Sequence, residues 1–430
     1  MPHPACVIRR ATDPPLDLEA LFLVLVDGED DLFWLDAGTD AGEGWSFLGV
    51  GYADPDGPGA VVLGDPEAGA GPPLCDGWVG WLDYESGAAV SGAPVSDSAD
   101  APAWVRLRAA IAVDHASGEI WALGDRQTVD GWIAASAQNS AQARSESEAV
   151  RVAVARHAPD EYAALIEDCR DAIRAGDAYL LCLTTRFSVP GAHDPAAVYR
   201  RLRRASPSHH GGFLRIGGRA LLSASPETFL RTKGNRIVTR PIKGTRPRGR
   251  DAASDIAFAE ELLASAKERA ENVMIVDLMR NDLSRICEPG TVRVDGLWQI
   301  ESYPAVHQLV STVSGRLATG TTVRRLQRAV FPAGSMTGAP KLSAMTVLNR
   351  LERAPRGVYS GCFGYIGVDG AVDLAMVIRS IVIDTEGAVV GAGGGITWGS
   401  LAADEVAEVA TKARAPLAAL GAELPDTWRG

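Results

Sequence analysis

The segment Pro241-Ile242-Lys243-Gly244-Thr245-Arg246-Pro247-Arg248-Gly249 follows an alternating run, residues 235–240, that is typical of a β-strand. Proline has no N–H group for a central ladder, so we expect the strand to stop, or to lie at a sheet edge, where the segment begins. The two glycines permit backbone angles and close approaches that other residues resist. The pattern therefore predicts that Lys243 ends a strand beside a glycine-lined turn.

A lysine in that position can project into a cleft, and a buried lysine that loses its proton becomes a nucleophile. The alternative is a surface lysine in a basic turn that also holds Arg246, Arg248 and Arg250. The local sequence by itself favours the surface position. The segments farther along the chain change that balance.

Length and composition describe an ordinary globular protein. The chain has 430 residues, 46% hydrophobic and 22% charged, with a net charge of −12. This charge argues against general binding to nucleic acid or to anionic membranes. No apolar run approaches the roughly 20 residues that span a bilayer, and residues 1–6 lack the features of a signal peptide. Six cysteines without paired spacing fit reduced thiols, so we expect a cytoplasmic protein.

The first part of the chain, residues 1–150, carries strand-like runs but no constellation of catalytic residues. An apolar segment at residues 18–26 predicts a helix or a strand. Strands are predicted at residues 33–36, 45–49, 78–85, 104–113 and 119–123. Residues 86–102 predict an exposed loop, and residues 134–148 predict a helix end or linker.

The second part has clearer periodicity. Helices are predicted at residues 160–175, 196–204, 255–286 and 402–413. Strands are predicted at residues 178–184, 213–216, 220–225, 229–231, 375–378 and 388–390, the second and third forming a hairpin at Gly217-Gly218.

Two of these helices carry glutamates three residues apart, which places each pair on one helix face. The pairs are Glu268 with Glu271 and Glu405 with Glu408. If the helices converge, the carboxylates could bind one hard cation, since magnesium prefers oxygen ligands and keeps several waters. The alternative, which is the commoner one for such pairs, is a solvated helix face.

Four further features each leave two interpretations open. His307, in an apolar segment, is a hydrogen-bonded core residue or a catalytic one. Residues 334–341 form an anion-binding turn or a plain helix start. Arg379, after an apolar strand, is a carboxylate fork or a surface charge. The glycine run at residues 391–395 marks a closely approaching ligand or a tight packing corner.

Together these motifs resemble the chorismate-utilising enzymes, the family of anthranilate synthase large subunits, isochorismate and salicylate synthases, and aminodeoxychorismate synthase component I. The resemblance covers roughly residues 155–420 and is weaker in residues 1–150. It rests on Ser225-Pro226-Glu227, residues 241–249, Lys267-Glu268 with Glu271, residues 277–283, Val306-His307, residues 338–341, Tyr359-Ser360-Gly361, residues 377–380 and the glycine run before Asp404-Glu405. It implies an α/β sandwich of two large antiparallel sheets with helices outside, residues 155–420 forming the catalytic domain and residues 1–150 packing onto the same body.

Within the family, the residue at the position of Lys243 distinguishes one enzyme from another. Anthranilate synthases carry alanine in this motif, whereas aminodeoxychorismate synthases carry Pro-Ile-Lys-Gly-Thr, as here. The resemblance therefore implies that chorismate is converted to 4-amino-4-deoxychorismate for p-aminobenzoate and folate synthesis. Lys243, with a pKa lowered by burial or by neighbouring cations, would be the nucleophile. Glu227 would be the acid for the leaving hydroxyl, and His307 would orient or protonate that hydroxyl.

The resemblance also implies the ligands. Mg²⁺ would be held by Glu271 and Glu408, with Glu268 and Glu405 behind them through water. The chorismate-binding residues would be Gly244, Thr245, Ser335, Tyr359, Arg379, Gly393, Gly394 and Gly395.

The chain departs from the family in three ways, one of which is the absence of an N-terminal Leu-Leu-Glu-Ser motif. Leu180 stands where many relatives carry a polar residue, which argues against an isochorismate synthase, and His209-His210 replaces the usual residues of a tryptophan pocket. The sequence contains no glutaminase motif, so the resemblance implies a separate glutamine amidotransferase subunit. An anthranilate synthase that carries lysine, and a non-catalytic chorismate- or partner-binding relative, remain the alternatives.

Overall fold

The computed structural model describes residues 7–9, 16–39, 41–64, 71–97, 100–138, 150–303 and 306–429. Its helices are α1 (Leu18–Gly28), α2 (Tyr84–Val90), α3 (Arg126–Gln138), α4 (Pro159–Arg174), α5 (Pro195–Ala205), α6 (Ala252–Ala264), α7 (Ala266–Ser284), α8 (Val323–Val330), α9 (Lys341–Glu352) and α10 (Ala402–Ala419). Of the predicted helix end or linker, residues 139–148 lie outside the described residues, as does Cys6. Among the described residues, Cys169, Cys182, Cys287 and Cys362 are buried free thiols, as predicted.

The strands in the first half of the chain are β1 (Val7–Arg9), β2 (Leu32–Asp36), β3 (Trp45–Ala53), β4 (Gly77–Leu82), β5 (Ala103–Asp114), β6 (Ile120–Gly124), β7 (Arg151–Val152), β8 (Val154–Ala155), β9 (Leu180–Pro190), β10 (His210–Ile216) and β11 (Arg219–Ser225). The remaining strands are β12 (Thr228–Lys233), β13 (Arg236–Thr239), β14 (Ile242–Pro247), β15 (Arg293–Ser302), β16 (Val306–Arg316), β17 (Gly338–Ala339), β18 (Cys362–Gly367), β19 (Val372–Met376), β20 (Ser380–Ile383), β21 (Gly387–Ile396) and β22 (Ala422–Glu423).

Two antiparallel half-sheets share the long strand β5. One half-sheet runs from β5 through β3, β2, β10, β11, β20 and β21 to β9. The other runs from β5 through β4, β18, β19, β12 and β13 to β16, which also pairs with β14 and β15. The predicted mixed α/β fold with large antiparallel sheets is confirmed, and the hydrogen bonds make the two halves one continuous network of twenty strands.

The core lies in three layers. Between the half-sheets, Phe33 and Phe47 of one half lie in the same buried cluster as Trp81 and Phe363 of the other. Helices α1, α3, α4, α5 and α10 cover the outer face of the half-sheet that ends at β9. Helices α7 and α8 cover the outer face of the half-sheet that ends at β16. The site described below lies where α7, α10 and the ends of the two half-sheets meet.

Three predicted elements differ from the structure. The helical pattern at residues 255–286 forms two helices, because the Ser265 hydroxyl accepts a hydrogen bond from the Glu268 N–H at 3.4 Å and begins α7. The predicted strand at residues 78–85 ends at Leu82, because the Asp83 carboxylate caps α2. The predicted loop at residues 86–102 therefore begins with the rest of that helix.

A buried ion pair joins several of these elements around β9. The guanidinium of Arg356 binds both carboxylate oxygens of Glu352, at 2.8 and 2.7 Å, and donates to the carbonyls of Met336 and Cys182. Glu352 also accepts hydrogen bonds from the N–H and the hydroxyl of Thr184. The two charged side chains are 1% and 3% exposed, so their mutual satisfaction is needed for the fold.

Removing one partner should leave a buried, uncompensated charge. We expect Arg356→Met to lower the free energy of unfolding by about 3–5 kcal/mol, measured by urea denaturation. The double variant Arg356→Met/Glu352→Leu should lose less than the sum of the single variants, because the two side chains interact. Asp277→Asn is the matched control: it breaks the exposed Arg280–Asp277 pair and should cost less than about 1 kcal/mol. Equal effects of Arg356→Met and Asp277→Asn would contradict this account.

Candidate active site

Lys243 is the second residue of β14. The sequence had predicted that it would be the last residue of a strand, and this prediction was wrong. The preceding strand does stop near Pro241, as predicted: β13 ends at Thr239, and β14 starts directly after the proline. The Lys243 ammonium lies 3.6 Å from a carboxylate oxygen of Glu271 on α7, and its side chain is 15% exposed. The surface-lysine interpretation is therefore wrong.

Gly244 has a φ of +81° and brings the chain close to α7. A Cβ atom at this position would lie 2.9 Å from the carboxylate carbon of Glu268 and 2.7 Å from Leu262. A side chain here would be strained by the backbone angle and would also displace Glu268. Glycine thus allows β14 and α7 to approach closely enough for Lys243 to reach Glu271.

The glycine run was predicted to follow a strand, but it lies inside β21. A Cβ atom at Gly395 would lie 2.9 Å from the Lys243 ammonium, and one at Gly394 would lie 3.0 Å from Glu405 Oε2. A Cβ atom at Gly391 would lie 2.1 Å from the Tyr359 ring. The glycines of the run therefore form a wall without side chains, the glycine wall, which charged groups and an aromatic ring approach directly.

Each of the four predicted metal-binding glutamates has a basic side chain beside it. Lys243 and Lys267 flank Glu271, and Lys267 lies 3.1 Å from Glu405. Lys412 lies 2.7 Å from Glu408, and Arg246 lies 3.9 Å from Glu268. Among the described residues, no three acidic, histidine or cysteine side chains form a ready-made metal cage. These lysine and arginine side chains offset the repulsion between neighbouring carboxylates.

The donor set nevertheless suits one hard cation. Glu271 and Glu405 are 7% and 2% exposed, and they face each other across the Lys267 ammonium. Glu271 Oε1 is buried without a hydrogen-bond partner. A buried acceptor without a donor is costly, and carboxylate oxygens are the ligands that magnesium prefers. The residues present therefore fit a divalent cation bound between the two carboxylates and completed by water.

Glu227, between β11 and β12, is the other buried carboxyl of the site. It is 7% exposed and accepts a hydrogen bond from the Ser335 hydroxyl at 2.9 Å. Burial raises the pKa of Glu227 to about 7, while the Ser335 hydrogen bond and the charges of Lys243 and Lys412 oppose the rise. A carboxyl with this pKa is partly protonated at neutral pH, so it can act as a proton donor.

The pKa of Lys243 moves in the opposite direction to the one predicted. Burial favours the neutral amine, but the negative charges of Glu271, Glu408 and Glu227 together outweigh burial and raise the pKa above its ordinary value. No arginine is among the groups with the largest effects on the pKa of Lys243. In the metal-free chain Lys243 is therefore a charged ammonium.

Arg379 lies between β19 and β20 with a φ of +53°. Burial lowers the pKa of its guanidinium, against the effects of Tyr359 and Glu408. Within the described ranges, no carboxylate lies within ion-pair distance of Arg379. A half-buried guanidinium without a counter-ion, beside the Tyr359 ring, is suited to bind an anion. Thr245, also predicted to bind substrate, has an exposed side chain.

His307 is buried, and both of its ring nitrogens have protein partners. Nδ1 lies 2.8 Å from the Ser302 hydroxyl and Nε2 lies 2.9 Å from the Asp255 carboxylate. This arrangement is that of the hydrogen-bonded core residue. In the described structure the imidazole has no free nitrogen for a substrate.

The sequence assigned no role to three basic residues around the site. Lys267 and Lys412 each lie four residues from a glutamate of the site, as Arg356 does from Glu352. The spacing of four residues on a helix was the available signal, but it does not tell a buried pair from an exposed one.

Residues 334–341 form a short 3-10 turn, strand β17 and the start of α9. The Lys341 ammonium lies 2.6 Å from Asp282 on α7 and donates to the Val330 carbonyl. This lysine therefore joins α7, α8 and α9. A separate groove of about 870 Å³ runs along the outer side of α7, between Tyr179, Val273 and Leu297, and does not include Lys243 or the site glutamates. No described helix is long and apolar enough to cross a membrane.

Comparison with known proteins gives one family. Residues 59–418 match the chorismate binding enzyme family. An aminodeoxychorismate synthase of Streptomyces pristinaespiralis is 42% identical over 365 residues, 80% of this chain and 50% of that protein. An anthranilate synthase component 1 of Thermus thermophilus is 46% identical over 261 residues, 61% of this chain and 56% of that protein. The chain thus spans about half the length of these curated relatives.

A solved structure shares the fold. Anthranilate synthase component I from Streptococcus pneumoniae superposes with a TM-score of 0.72 at 26% identity, covering 96% of this chain and 93% of that one. The likeness extends over both half-sheets, including the region before residue 155, where the sequence resemblance was weak.

The raised pKa of Glu227 can be tested by its effect on stability. Its ordinary pKa is 4.5 and its folded value is about 7, so the stability contributed by the protonated group is complete below pH 4.5 and is lost as the pH rises through 7. Glutamine stays neutral throughout. We therefore expect Glu227→Gln to gain about 2–3 kcal/mol relative to wild type between pH 5 and pH 8, at about 1.4 kcal/mol per pKa unit.

Urea denaturation at the two pH values measures this difference. Glu119→Gln, at an exposed position, is the matched control and should change stability by less than about 0.5 kcal/mol at either pH. A pH-independent effect of Glu227→Gln would show that the carboxyl is ionised in the folded protein.

Proposed function

The chain belongs to the chorismate binding enzyme family, and on that basis we propose that it converts chorismate and ammonia to 4-amino-4-deoxychorismate. The observation that carries this proposal is the position of Lys243, buried in the site beside Glu271 and the glycine wall. Relatives named aminodeoxychorismate synthase, matched over most of this chain, support it. The product would serve p-aminobenzoate and folate synthesis in the cytoplasm.

The first half-reaction forms a covalent intermediate on Lys243. Its neutral amine forms a bond to C2 of chorismate, the ring double bonds shift, and the C4–oxygen bond breaks. Hydroxide is a poor leaving group, so Glu227 donates its proton and the oxygen departs as water. Since attack requires the neutral amine, the negative charge of Glu271 beside Lys243 must first be neutralised.

The second half-reaction returns the lysine. Ammonia forms a bond to C4, the double bonds shift back, and the C2–nitrogen bond to Lys243 breaks. Two displacements in sequence place the amine at C4 with the configuration of the original hydroxyl. The enolpyruvyl ether at C3 is untouched, which distinguishes this chemistry from anthranilate formation.

Substrate binding falls first to two side chains that have no ion-pair or hydrogen-bond partner among the described residues. The guanidinium of Arg379 and the hydroxyl of Tyr359 are suited to one carboxylate. Ser335 already holds Glu227, so it orients the acid, while Gly244, Thr245 and the amides of Gly393, Gly394 and Gly395 lie along the ring and the ether. A role for His307 requires its ring to exchange Ser302 or Asp255 for the substrate hydroxyl.

A magnesium ion completes the proposal. Glu271 and Glu405 would hold it, with Glu408 and Glu268 reaching it through water or after leaving their basic partners. When bound, it would neutralise these carboxylates and the C1 carboxylate of chorismate. The buried Glu271 oxygen without a hydrogen-bond partner supports this placement.

Ammonia would come from a glutamine amidotransferase partner, because the chain carries no glutaminase motif. We expect the purified chain to form aminodeoxychorismate from chorismate, Mg²⁺ and ammonium salts but not from glutamine, and to use glutamine once the amidotransferase is added. Mass analysis of the products measures this. Release of pyruvate with anthranilate would identify an anthranilate synthase instead, and no turnover with ammonium would leave a non-catalytic binding protein.

The covalent step has a direct signature. Incubation with chorismate and Mg²⁺ but without ammonia should add to the intact protein the mass of chorismate less one water. Lys243→Ala should lose the adduct, and Glu227→Gln should slow its formation about 10²–10⁴-fold, because the leaving hydroxyl loses its proton donor. Lys233→Ala, at an exposed lysine, is the control and should keep the adduct. Unchanged aminodeoxychorismate formation by Lys243→Ala would refute the lysine intermediate.

A further inference from the structure

Lys267 connects the two buried carboxylates of the site. It lies in the first turn of α7, and its ammonium is 3.1 Å from Glu405 Oε1 on α10 and 4.0 Å from Glu271 Oε1. Glu271 Oε1 is the buried oxygen without a hydrogen-bond partner. A positive charge therefore already lies between the two side chains that best fit a divalent cation.

We propose that Lys267 is a built-in competitor of the metal: its ammonium occupies the cation position in the metal-free chain, and a divalent cation binds by displacing it. The inference rests on the proposed function in one respect, the placement of a divalent cation between Glu271 and Glu405. The role of Lys267 itself is carried by the geometry of the metal-free site.

The carboxylates are buried, whereas the lysine is half exposed. Glu405 is 2% exposed and accepts a hydrogen bond from the Ser400 hydroxyl at 2.8 Å, and Glu271 is 7% exposed on the inner face of α7. The Lys267 side chain is 47% exposed. Its flexible four-carbon stem can carry the ammonium into solvent without moving the helix. An incoming cation can thus bind the buried carboxylates while the Lys267 ammonium moves into solvent.

The exchange keeps the buried carboxylates neutralised in both states. Without Lys267, Lys243 would still lie beside Glu271, but no cation would contact Glu405 or lie between the two carboxylates, which is unfavourable for like charges. With Lys267 and no metal, the fold is stable but the metal site is filled. Lys267 therefore stabilises the metal-free protein and, by the same contact, weakens metal binding.

The decisive experiment measures metal binding to the whole chain in the absence of chorismate. Isothermal titration calorimetry with Mg²⁺ should give a dissociation constant at least ten-fold lower for Lys267→Met than for wild type. Lys233→Met removes the same charge at an exposed position of β12 and should change the constant less than two-fold. Glu271→Gln in the Lys267→Met background should abolish the gain.

Thermal unfolding supplies a second readout, one that a merely structural lysine would not produce. Lys267→Met should lower the Tm of the metal-free chain, and saturating Mg²⁺ should raise the Tm of this variant more than that of wild type. Equal affinities, or an equal loss of Tm with and without metal, would overturn the inference while leaving the metal site in place. If neither wild type nor Lys267→Met binds Mg²⁺, the proposed metal site is wrong and the inference falls with it.

Discussion

The buried pair of Arg356 and Glu352 is the interaction on which the site depends. One guanidinium holds the Cys182 carbonyl of β9 and the Met336 carbonyl, the latter next to Ser335. Its own backbone N–H is bound by Glu85 of α2, and its charge lies over the Tyr84 ring. Since β9 pairs with β21 along its full length, fixing β9 fixes the glycine wall that faces Lys243.

Charge is arranged in the site so that similar groups acquire different properties. Glu227 is buried with one hydroxyl donor, and its pKa of about 7 leaves it partly protonated at neutral pH. Burial also raises the pKa of Glu271, but the two ammonium groups beside it oppose that rise. The two carboxyls therefore differ in their neighbours, a hydroxyl donor for one and two cations for the other, and such differences separate acid and anion roles.

The sequence predicted the local elements of this arrangement well. The strand before Pro241, the glycine run, both glutamate pairs and most helices and strands follow from periodicity and from the properties of proline and glycine. The break at Ser265 was missed because one serine cap is a weak signal within a long helical pattern. The sign of the Lys243 pKa and the partners of His307 were missed for another reason. Both depend on groups that sheet pairing brings close together, and spacing along the chain does not show which groups will become neighbours. The roles of the site residues remain predictions.

The sharing of β5 by both half-sheets has a consequence for how the chain can be divided. Strands β2 and β4, both before residue 100, pair with β10 and β18, so the two parts distinguished by sequence are interleaved at the level of the ladder. A fragment that began near residue 155 would leave β10 and β18 with unpaired backbone N–H and C=O groups, and such open edges recruit other chains. The amino-terminal part therefore completes the ladder of both half-sheets, and exchanging it between relatives would have to preserve both pairings at once.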